Sequence, residues 1–451
     1  MSALARFFHG KGFAVAGYDR TPSSLTRELE EEGIPVSYSD NADAVPALFR
    51  DKNHVLVVRT PAVPHDSVLF RWFEAEGFDI RKRAEVLGFL TRDMRALCIA
   101  GTHGKTTTST MLAHLLAQKG PVNAFLGGVS VNYGSNLLVS DKSDIVVVEA
   151  DEYDRSFHHL SPFMAVVTAT DPDHLDIYGT PEAYRESFAV FTSLIRPGGV
   201  LLRKQGIMLQ SRLQEGVREY SYGVITGATT ASLPDFYASD IRVADGGITF
   251  NFHGPDICLH NVVLGVPVWI NIENAVAAMA VARLNGVSGE QLQSGMASFR
   301  GTLRRFNTLV RSDRMVLVDD YAHHPDELRQ SIGSIRKLYP DARITGVFQP
   351  HLYTRTRDFH KQFAEALSLL DRVVLLPIYP AREEPIPGVT SQLILDNITL
   401  QDKRICEKAA LPSTLASMCR EGNAVRDVVI TLGAGDIDRL LPEIAGKLKE
   451  L

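Results

Sequence analysis

The chain has little excess charge and no long apolar segment. Its 47 Lys and Arg residues against 53 Asp and Glu give a formal net charge of -6 over 451 residues. That balance provides no basic surface for nucleic acid and argues against DNA binding. The apolar runs fall short of the ~20 residues that a membrane-spanning helix needs. We therefore expect neither nucleic acid nor membrane as a partner.

Cysteines are also few, and their spacing matches no metal-binding pattern. Cys98, Cys258, Cys406 and Cys419 lie far apart and form no CxxC pair. This spacing favours reduced thiols over a disulfide framework or a zinc site. The first residues, MSALARFFHGKGF, lack the long apolar segment of a signal peptide. A cytoplasmic protein is expected, with about three domains at roughly 150 residues each.

Short β-branched runs alternate with helical patterns along the chain, which predicts an α/β fold with mainly parallel sheets. Three domains are predicted, at residues 1–93, 94–302 and 303–451. The first contains the strand-like runs FAVAGYD (13–19) and HVLVVRT (54–60). In the second, residues 197–268 have shorter strands and many turn residues, which predicts an antiparallel part of the same domain.

A glycine-rich segment, GTHGKTT, follows the strand-like run ALCIA and precedes a helical pattern. A strand, a tight turn and a helix N-terminus together bring backbone N–H groups and the helix dipole to bear on a phosphate. Lys105 would reach the outer phosphates of a nucleoside triphosphate, and the Thr106 hydroxyl would bind Mg²⁺. The general pattern has a glycine five residues before Gly104, where this chain has Ile99. The alternative is a helix start that merely reads GKT.

Acidic residues and a histidine follow two further strands. IVVVEADEYD has Glu149 at the end of a strand, and TATDPDHLDIYG has His174 just past another. Open α/β sheets bind ligands at the carboxyl ends of their strands, so these segments are expected near the phosphate loop. Each segment has an ordinary alternative. Glu149, Asp151, Glu152 and Asp154 could form a solvated acidic loop, and His174 could be a structural histidine.

The last third of the chain repeats this arrangement. Strand-like runs precede VLVDDYAHHPDE, FQPHLYTRTRD, IYPAREEPIPG and TLGAGDID. These segments bring carboxylates, histidines and arginines to one sheet edge, where arginines suit a carboxylate or phosphate partner. A surface salt-bridge network is the alternative for any one segment, but not for all four together.

Over nearly its whole length the chain resembles the Mur ligases, the ATP-dependent amino-acid-adding enzymes of bacterial cell-wall synthesis. The resemblance rests on an ordered set of segments: GTHGKTTT, LGG (126–128), EADEYDRSF, DPDHLDIY, FRGTLRRF, DDYAHHPDE, FQPHLYTRTRD, YPAREEPIPG and LGAGDI. It implies a Rossmann-like N-terminal domain for a UDP-sugar, a central P-loop ATPase domain and a Rossmann-like C-terminal domain for the amino acid. The branch it resembles most uses ATP and Mg²⁺ to join L-alanine to UDP-N-acetylmuramate through an acyl phosphate. A monomer or homodimer is expected.

The resemblance also implies roles for individual residues. ATP-binding residues would be Gly101, Thr102, His103, Gly104, Lys105, Thr106, Thr107, Asn271, Asn274, Arg305 and Asp320. Metal ligands would be Thr106, Glu149 and His174. The amino-acid pocket would comprise Tyr321, His323, His324, His351 and Arg355, and the UDP-sugar contacts Asp19, Thr60, His103 and Asp151. The residues with catalytic roles would be Lys105, Glu149, His174, His323 and Arg355.

Several departures from the family pattern accompany this resemblance. Leu352 stands where an arginine usually follows the FQPH histidine, and Ile270 stands where a histidine usually precedes Asn271. The segment YRESFAVF has no counterpart of the lysine that several sister ligases carry in carbamylated form. The family opens on a strand and a GxGxxG-type loop that run into Met-Ser, whereas this chain begins at MSALARFF. We expect that this sequence starts late or is truncated.

Other functions compete with alanine addition. The nearest is the recycling ligase that attaches a whole tripeptide to the same sugar, although FQPHLYTRT and LGAGDI favour alanine. A folylpolyglutamate-synthase-like enzyme fits EADEYD and DDYAHHP poorly. From a different class, a nucleotide-binding regulator without catalysis would bind ATP and not turn it over.

Overall fold

The computed structural model describes residues 1–60, 63–64, 66–227, 232–244, 246–381, 383–421 and 426–451. The chain divides into two compact units. Unit 1 comprises Met1–Tyr237, His253–Ile257 and Asn274–Gly295. Unit 2 comprises Ala238–Phe252, Cys258–Glu273 and Met296–Leu451. In the described ranges, no helix is both long and apolar enough to cross a membrane.

The first part of unit 1 alternates helices with short strands. Its elements are α1 (Ser2–Gly10), β1 (Gly17–Tyr18), α2 (Ser24–Glu31), β2 (Val36–Ser37), β3 (Leu56–Arg59), α3 (Val68–Glu76), β4 (Asp79–Lys82) and α4 (Arg83–Asp93). β1 pairs in parallel with β2, and β3 with β4. The predicted strands 13–19 and 54–60 were too long. The observed strands β1 and β3 each pair with one short strand, and the backbone pairing ends where that partner strand ends.

The following elements form the largest sheet and the helices that pack on it. They are β5 (Arg95–Ala100), α5 (Lys105–Ala117), β6 (Asn123–Ser130), β7 (Ser135–Leu138), β8 (Ile145–Glu149), β9 (Met164–Val167), α6 (Leu175–Tyr178), α7 (Pro181–Ser193), β10 (Val200–Lys204), β11 (Arg218–Val224), β12 (Phe236–Ala244), β13 (Gly247–Gly254), β14 (Ile257–Val263), α8 (Trp269–Leu284) and α9 (Gly289–Ser298). The strand order is β14-β13-β12-β11-β10-β9-β5-β8-β6-β7.

Most of this sheet is parallel. β6, β8, β5, β9, β10 and β11 each run parallel to the next, and β7 pairs antiparallel with β6. The prediction of an antiparallel part from residue 197 was therefore wrong for its first section, because β10 and β11 extend the parallel sheet. Antiparallel pairing comes later, where only two residues join β13 to β14, too few for a parallel crossover.

The core of unit 1 surrounds the central strand. β5 is buried from Ala96 to Ala100 because β8 and β9 flank it and helices cover the sheet. A hydrophobic cluster joins Leu4 and Phe7 of α1 and Leu87 of α4 to Phe125 and Val148 of the sheet. The N-terminal helices of unit 1 therefore pack directly on the sheet that carries the glycine-rich loop.

Unit 2 contains a second, mainly parallel sheet. Its remaining elements are β15 (Asn307–Arg311), β16 (Met315–Asp320), α10 (Pro325–Leu338), β17 (Arg343–Phe348), α11 (Tyr353–Leu367), β18 (Arg372–Leu375), α12 (Gln392–Leu395), β19 (Lys403–Ile405), α13 (Leu411–Arg420), β20 (Asp427–Leu432) and α14 (Leu441–Lys449). The order is β15-β16-β20-β17-β18-β19, and only β15 is antiparallel to its neighbour. The α/β prediction with mainly parallel sheets is confirmed.

Candidate active site

The glycine-rich loop follows β5 and ends where α5 begins at Lys105. Gly101 has a φ of 136°, and a Cβ there would lie 2.1 Å from the Thr168 hydroxyl oxygen. Gly104 has a φ of 82°, and its Cβ would lie 2.6 Å from Asn274 Oδ1. A left-handed φ and close packing both require glycine at these two positions. The loop therefore has the strand, turn and helix start for which the sequence predicts a backbone anion site.

Lys105 turns back over this loop instead of extending away from it. Its Nζ donates to the carbonyl oxygen of Gly101 at 2.7 Å and lies 2.7 Å from Glu152 Oε2. Glu152 is only 2% exposed, so the interpretation of this residue as part of a solvated acidic loop was wrong. Burial raises the pKa of Glu152, and the positive charge of Lys105 opposes that shift.

Thr106 and Glu149 lie side by side, because β8 pairs directly with β5 and both strands end at the same edge. The Thr106 hydroxyl donates to Glu149 Oε1 at 3.1 Å. The backbone N–H of Gly127 donates to Glu149 Oε2 at 3.0 Å. A hydroxyl and a carboxylate are the oxygen ligands that Mg²⁺ prefers, so these two residues fit that ion.

His174, the third predicted metal ligand, has other neighbours. Its Nε2 lies 3.6 Å from Asp173 Oδ2, and its ring packs edge-on against Tyr153 at 5.1 Å between centroids. In the described ranges, no group of three His, Cys, Asp or Glu side chains is assembled as a metal site. The geometry that supports a metal is therefore the Thr106–Glu149 pair.

A cavity of about 210 Å³ adjoins Glu149, and we call it the Glu149 cavity. Its lining includes the predicted sugar contacts Thr60 and Asp151, and also Lys82 and Arg83, which sequence reasoning missed. Pockets for drug-sized ligands occupy roughly 300–1,000 Å³, so this cavity has room for part of a nucleotide sugar only. Two cationic side chains suit an anionic group such as a carboxylate.

Two predicted sugar contacts lie on the surface of unit 1. Asp19 is exposed, and its carboxylate accepts a hydrogen bond from the backbone N–H of Thr21 at 3.1 Å. His103 is exposed within the glycine-rich loop, and its carbonyl oxygen accepts a hydrogen bond from the Thr168 hydroxyl. Neither lines the Glu149 cavity.

The remaining loop side chains tie it to its surroundings. The Thr102 hydroxyl donates to the carbonyl oxygen of Asp171 at 2.8 Å and lies 2.9 Å from the hydroxyl of Tyr184. Thr107 is partly buried in the first turn of α5. Tyr184 is fully buried on α7, and only the structure reveals it as a neighbour of the loop.

The two predicted adenine-contacting asparagines are both on α8. Asn274 belongs to unit 1, where its Oδ1 accepts a hydrogen bond from the Thr108 hydroxyl at 3.2 Å and faces Gly104. Asn271 belongs to unit 2, where its Nδ2 donates to the carbonyl oxygen of Val266 at 3.2 Å. A spacing of three residues puts both on one face of the helix.

In unit 2, Asp320 at the end of β16 is buried and hydrogen-bonded within the unit. Its Oδ1 accepts from the backbone N–H groups of Phe306 and Tyr321, each at 3.0 Å, and its Oδ2 accepts from the Ser331 hydroxyl. Arg305 lies over the ring of Tyr321 at 5.3 Å. Asp320 thus holds the backbone around Tyr321 in place.

Arg304, the neighbour of Arg305, contacts the loop after β20, and sequence reasoning missed this residue. Its guanidinium donates to the carbonyl oxygens of Gly433 at 2.6 Å and Gly435 at 2.9 Å. It also lies 3.6 Å from Asp319, a buried carboxylate. Burial raises the pKa of Asp319 to about 6, while a hydrogen bond from Thr431 and the charge of Arg304 oppose the shift.

The predicted amino-acid pocket follows β16 and β17, whose carboxyl ends meet at one sheet edge because both strands flank β20. The Nδ1 of His323 lies 3.0 Å from the carbonyl oxygen of Tyr321 and 3.3 Å from Glu327 Oε2. Burial lowers the pKa of His323; Arg355 adds to that shift and Glu327 opposes it. His323 is thereby favoured in its neutral form.

His351 and Arg355 border the same place. His351 stacks on Tyr379 at 5.8 Å between ring centroids and lies 6.2 Å from the ring of His323. An Nη1 of Arg355 lies 3.5 Å from His351 Nδ1. His324 is turned away from this group, with its ring against Phe359 at 5.2 Å.

Leu352, which departs from the family pattern, contacts the loop after β18. Leu352 has a φ of 71°, and its backbone N–H donates to the carbonyl oxygen of Tyr379 at 3.0 Å. Arg382, within the predicted IYPAREEPIPG segment, lies outside the described residues. Sequence reasoning missed Glu327 and Tyr379; strand-end placement was the only signal for the segments that contain them.

The fold and the loop together define an α/β protein with a glycine-rich loop between a buried strand and a helix N-terminus. Comparison with protein-family models identifies it further. Residues 1–95 match the Mur ligase family catalytic domain, residues 99–282 the Mur ligase middle domain, and residues 304–435 the Mur ligase glutamate ligase domain.

Whole-chain relatives agree with these matches. A UDP-N-acetylmuramate–L-alanine ligase of Parabacteroides distasonis is 57% identical over 446 residues, which cover 98% of this chain and 94% of that protein. One from Cytophaga hutchinsonii is 42% identical, covering 98% of this chain and 93% of that protein. A crystal structure of UDP-N-acetylmuramate-alanine ligase from Thermotoga maritima shares the fold, with a TM-score of 0.81 at 24% identity, covering 100% of this chain and 96% of that one. This chain belongs to the Mur ligase family.

Proposed function

We propose that this protein joins L-alanine to the lactyl carboxylate of UDP-N-acetylmuramate and converts ATP to ADP and phosphate. The observation that carries this proposal is the glycine-rich loop with Lys105 and Thr106, next to Glu149 and its cavity. The names of relatives 57% and 42% identical over nearly the whole chain support alanine as the amino acid. Because the reaction consumes ATP, we infer a cytoplasmic location.

Each predicted segment has a role in this proposal. We assign the UDP-sugar to residues 1–93, ATP to residues 94–302 and the amino acid to residues 303–451. Many of the predicted site residues follow the carboxyl ends of strands, which is where open α/β sheets bind ligands.

ATP would bind with its phosphates on the backbone N–H groups of the glycine-rich loop, at the N-terminus of α5. Lys105 supplies a positive charge for the outer phosphates. Asn271 and Asn274 carry side-chain amides, each of which offers a donor and an acceptor for the adenine edge. Arg305 is a further cation that we propose for ATP binding.

Mg²⁺ would be held by Thr106 and Glu149, with His174 as the proposed third ligand. When bound, it would neutralise charge between the two anionic substrates. Thr106 and Glu149 present oxygen atoms 3.1 Å apart at the end of the phosphate loop, which suits a hard cation of this kind.

In the first step, a lactyl carboxylate oxygen attacks the γ-phosphorus of ATP, forming an acyl phosphate and releasing ADP. The protein contributes chiefly by positioning and by electrostatic stabilisation, as in other phosphoryl transfers. The Glu149 cavity, with Lys82 and Arg83 in its wall, is the proposed place for that carboxylate. Asp19, Thr60, His103 and Asp151 are the proposed polar contacts for the sugar.

In the second step, the alanine amine attacks the acyl carbon, an amide bond forms, and phosphate leaves with one former carboxylate oxygen. Arg355 is the proposed partner of the alanine carboxylate, since a guanidinium pairs with a carboxylate through two parallel hydrogen bonds. Tyr321, His324 and His351 are proposed to border the amino acid. His323, favoured as neutral by its burial, is suited to accept a proton from the alanine ammonium.

The experiment is an ADP-release assay with purified protein, ATP and Mg²⁺, in which the sugar and the amino acid are omitted in turn. We expect turnover only with UDP-N-acetylmuramate and L-alanine both present. ATP hydrolysis that is indifferent to the sugar would refute the proposal.

Two other functions are separated by the same assay. Replacing L-alanine by the tripeptide L-alanyl-γ-D-glutamyl-meso-diaminopimelate tests the recycling ligase. Faster turnover with the tripeptide would favour that enzyme. ATP binding without turnover under any condition would favour a catalytically silent regulator.

A further inference from the structure

Lys105 is the centre of a buried contact that the proposed reaction does not use. Its Nζ lies 2.9 Å from Glu152 Oε1 and 2.7 Å from Glu152 Oε2. The same Nζ donates to the carbonyl oxygen of Gly101 at 2.7 Å and lies 3.4 Å from that of Thr102. An ammonium group has three N–H donors, and these contacts use all three. A phosphate can therefore gain Lys105 only if one of these oxygens gives it up.

Among these partners, Glu152 is the one with a full negative charge, and it is held in place. Its backbone carbonyl oxygen accepts a hydrogen bond from the hydroxyl of buried Tyr178. Two residues further on, Asp154 pairs with Lys82 at 2.7 Å. The backbone that follows Glu152 adopts left-handed conformations at Asp154 and Arg155, with φ of 51° and 55°. The carboxylate is thus presented to Lys105 by a constrained turn.

The environment makes this carboxylate a strong partner for the lysine. Glu152 is 2% exposed and the side chain of Lys105 15% exposed, so water screens their attraction weakly. Burial raises the pKa of Glu152, which reflects the cost of an anion at this depth. In an ion pair of this kind, loss of one partner leaves the other buried and unpaired.

We propose that Glu152 is a positioning residue that competes with the phosphates of the nucleotide for Lys105. Binding then exchanges one anion for another at the lysine Nζ, and this exchange weakens nucleotide affinity relative to a loop without the carboxylate. The two sequence neighbours of Glu152, Asp151 and Tyr153, both line the Glu149 cavity. A movement of Glu152 away from Lys105 would therefore shift the wall of the cavity where the sugar is proposed to bind. The inference rests on the proposed function only in that the loop binds a nucleotide.

The test is isothermal titration calorimetry of the full chain with MgADP, for the wild type and Glu152→Gln. Glutamine keeps the shape of the side chain and removes its charge. We expect the dissociation constant to fall by roughly tenfold, about what one charge-assisted hydrogen bond is worth. A purely structural role for Glu152 predicts unchanged or weaker binding, and either result would overturn the proposal.

Two controls test whether the change in MgADP affinity acts through Lys105. Adenosine has no phosphates, so its affinity should be the same for wild type and Glu152→Gln. Asp154→Asn removes a neighbouring carboxylate of the same turn that pairs with Lys82 instead, and it should leave MgADP affinity unchanged. Tighter adenosine binding by Glu152→Gln would mean a general change in the site and would count against the competition.

A double-mutant cycle gives the sharpest result. In a Lys105→Met background, Glu152→Gln should no longer tighten MgADP binding, because the competition needs the lysine. The same tightening without Lys105 would overturn the proposal. If Glu152→Gln does not fold in a thermal unfolding assay, Glu152→Asp replaces it. This variant retracts the carboxylate by one methylene and should also tighten binding, by a smaller factor; unchanged or weaker binding would again overturn the competition.

Failure of this inference is distinguishable from failure of the proposed function. One outcome refutes the competition alone: the wild type releases ADP with L-alanine, and its affinity for MgADP equals or exceeds that of Glu152→Gln. Wild type that binds no nucleotide at all refutes both.

Discussion

Gly127 offers the most direct way to move Glu149 without changing it. The residue lies on β6, next to the end of β8, and its backbone N–H donates to Glu149 Oε2 at 3.0 Å. A Cβ at this position would lie 2.2 Å from Oε2 and 2.4 Å from Oε1 of Glu149. Since ordinary van der Waals contact begins at 3.4 Å, the shortfall to Oε2 is 3.4 − 2.2 = 1.2 Å. Gly127→Ala should therefore displace this carboxylate by about 1 Å.

The fold should tolerate this change, because the displaced group is the end of a flexible side chain. Activity should not, since a 1 Å misplacement of a positioned group costs up to about a hundredfold in rate. That loss equals about 2.7 kcal/mol of transition-state stabilisation. We expect kcat for alanine-dependent ADP release to fall by about that factor while the unfolding temperature stays close to that of wild type.

The matched control is Gly120→Ala, after α5, where an added Cβ meets no atom within 4 Å. It should retain wild-type kcat and unfolding temperature. Wild-type kcat for Gly127→Ala would refute the reasoning, because Glu149 would then not need its present position. A large fall in unfolding temperature would also refute it, since the loss of activity would then reflect the fold.

Three further substitutions test other parts of the account. Thr106→Ala removes a proposed oxygen ligand of Mg²⁺ while the loop N–H groups remain, so activity should fall at least about a hundredfold with nucleotide binding retained in calorimetry. Arg355→Lys removes the guanidinium that we propose to pair with the alanine carboxylate through two hydrogen bonds, and it should raise KM for alanine by roughly tenfold, with a smaller change in kcat. The pKa of Asp319 is raised from 3.8 to about 6, so the native state binds this proton more tightly and wild-type stability should fall as pH rises through that interval. Asp319→Asn should flatten this part of the curve of unfolding temperature against pH; an unchanged slope would contradict the assignment.

The parts of the site that local sequence determines could be predicted. Gly101 and Gly104 follow from a strand, a turn and a helix start within a few residues. The proximity of Thr106 and Glu149 follows from strand-end geometry, because β5 and β8 are neighbours and parallel. The role of this pair in metal binding stays a prediction.

Contacts that depend on the backbone of irregular segments could not be predicted. EADEYD carries four carboxylates, and its sequence does not say that Glu152 turns inward to Lys105 while its neighbours do not. That choice depends on the left-handed residues Asp154 and Arg155 and on the hydroxyl of Tyr178. The stacking of His351 on Tyr379 likewise depends on a loop after β18, far away in sequence.

The length of the early strands was overestimated for a related reason. β-Branched runs at 13–19 and 54–60 indicate strand propensity, but the ladder extends only as far as a partner strand lies beside it. β1 has two residues because β2 has two. The length of a strand depends on the length of the strand beside it, and the sequence of a single β-branched run does not contain that information.

The central claim is that the carboxylate of UDP-N-acetylmuramate is activated by ATP and then captured by L-alanine. The most direct measurement uses the sugar nucleotide with ¹⁸O in both oxygens of its lactyl carboxylate, followed by mass spectrometry of the phosphate released. Because phosphate leaves with one former carboxylate oxygen, we expect one ¹⁸O in each phosphate, and phosphate formation that requires L-alanine. Unlabelled phosphate, or labelled phosphate formed equally well without L-alanine, would contradict the account.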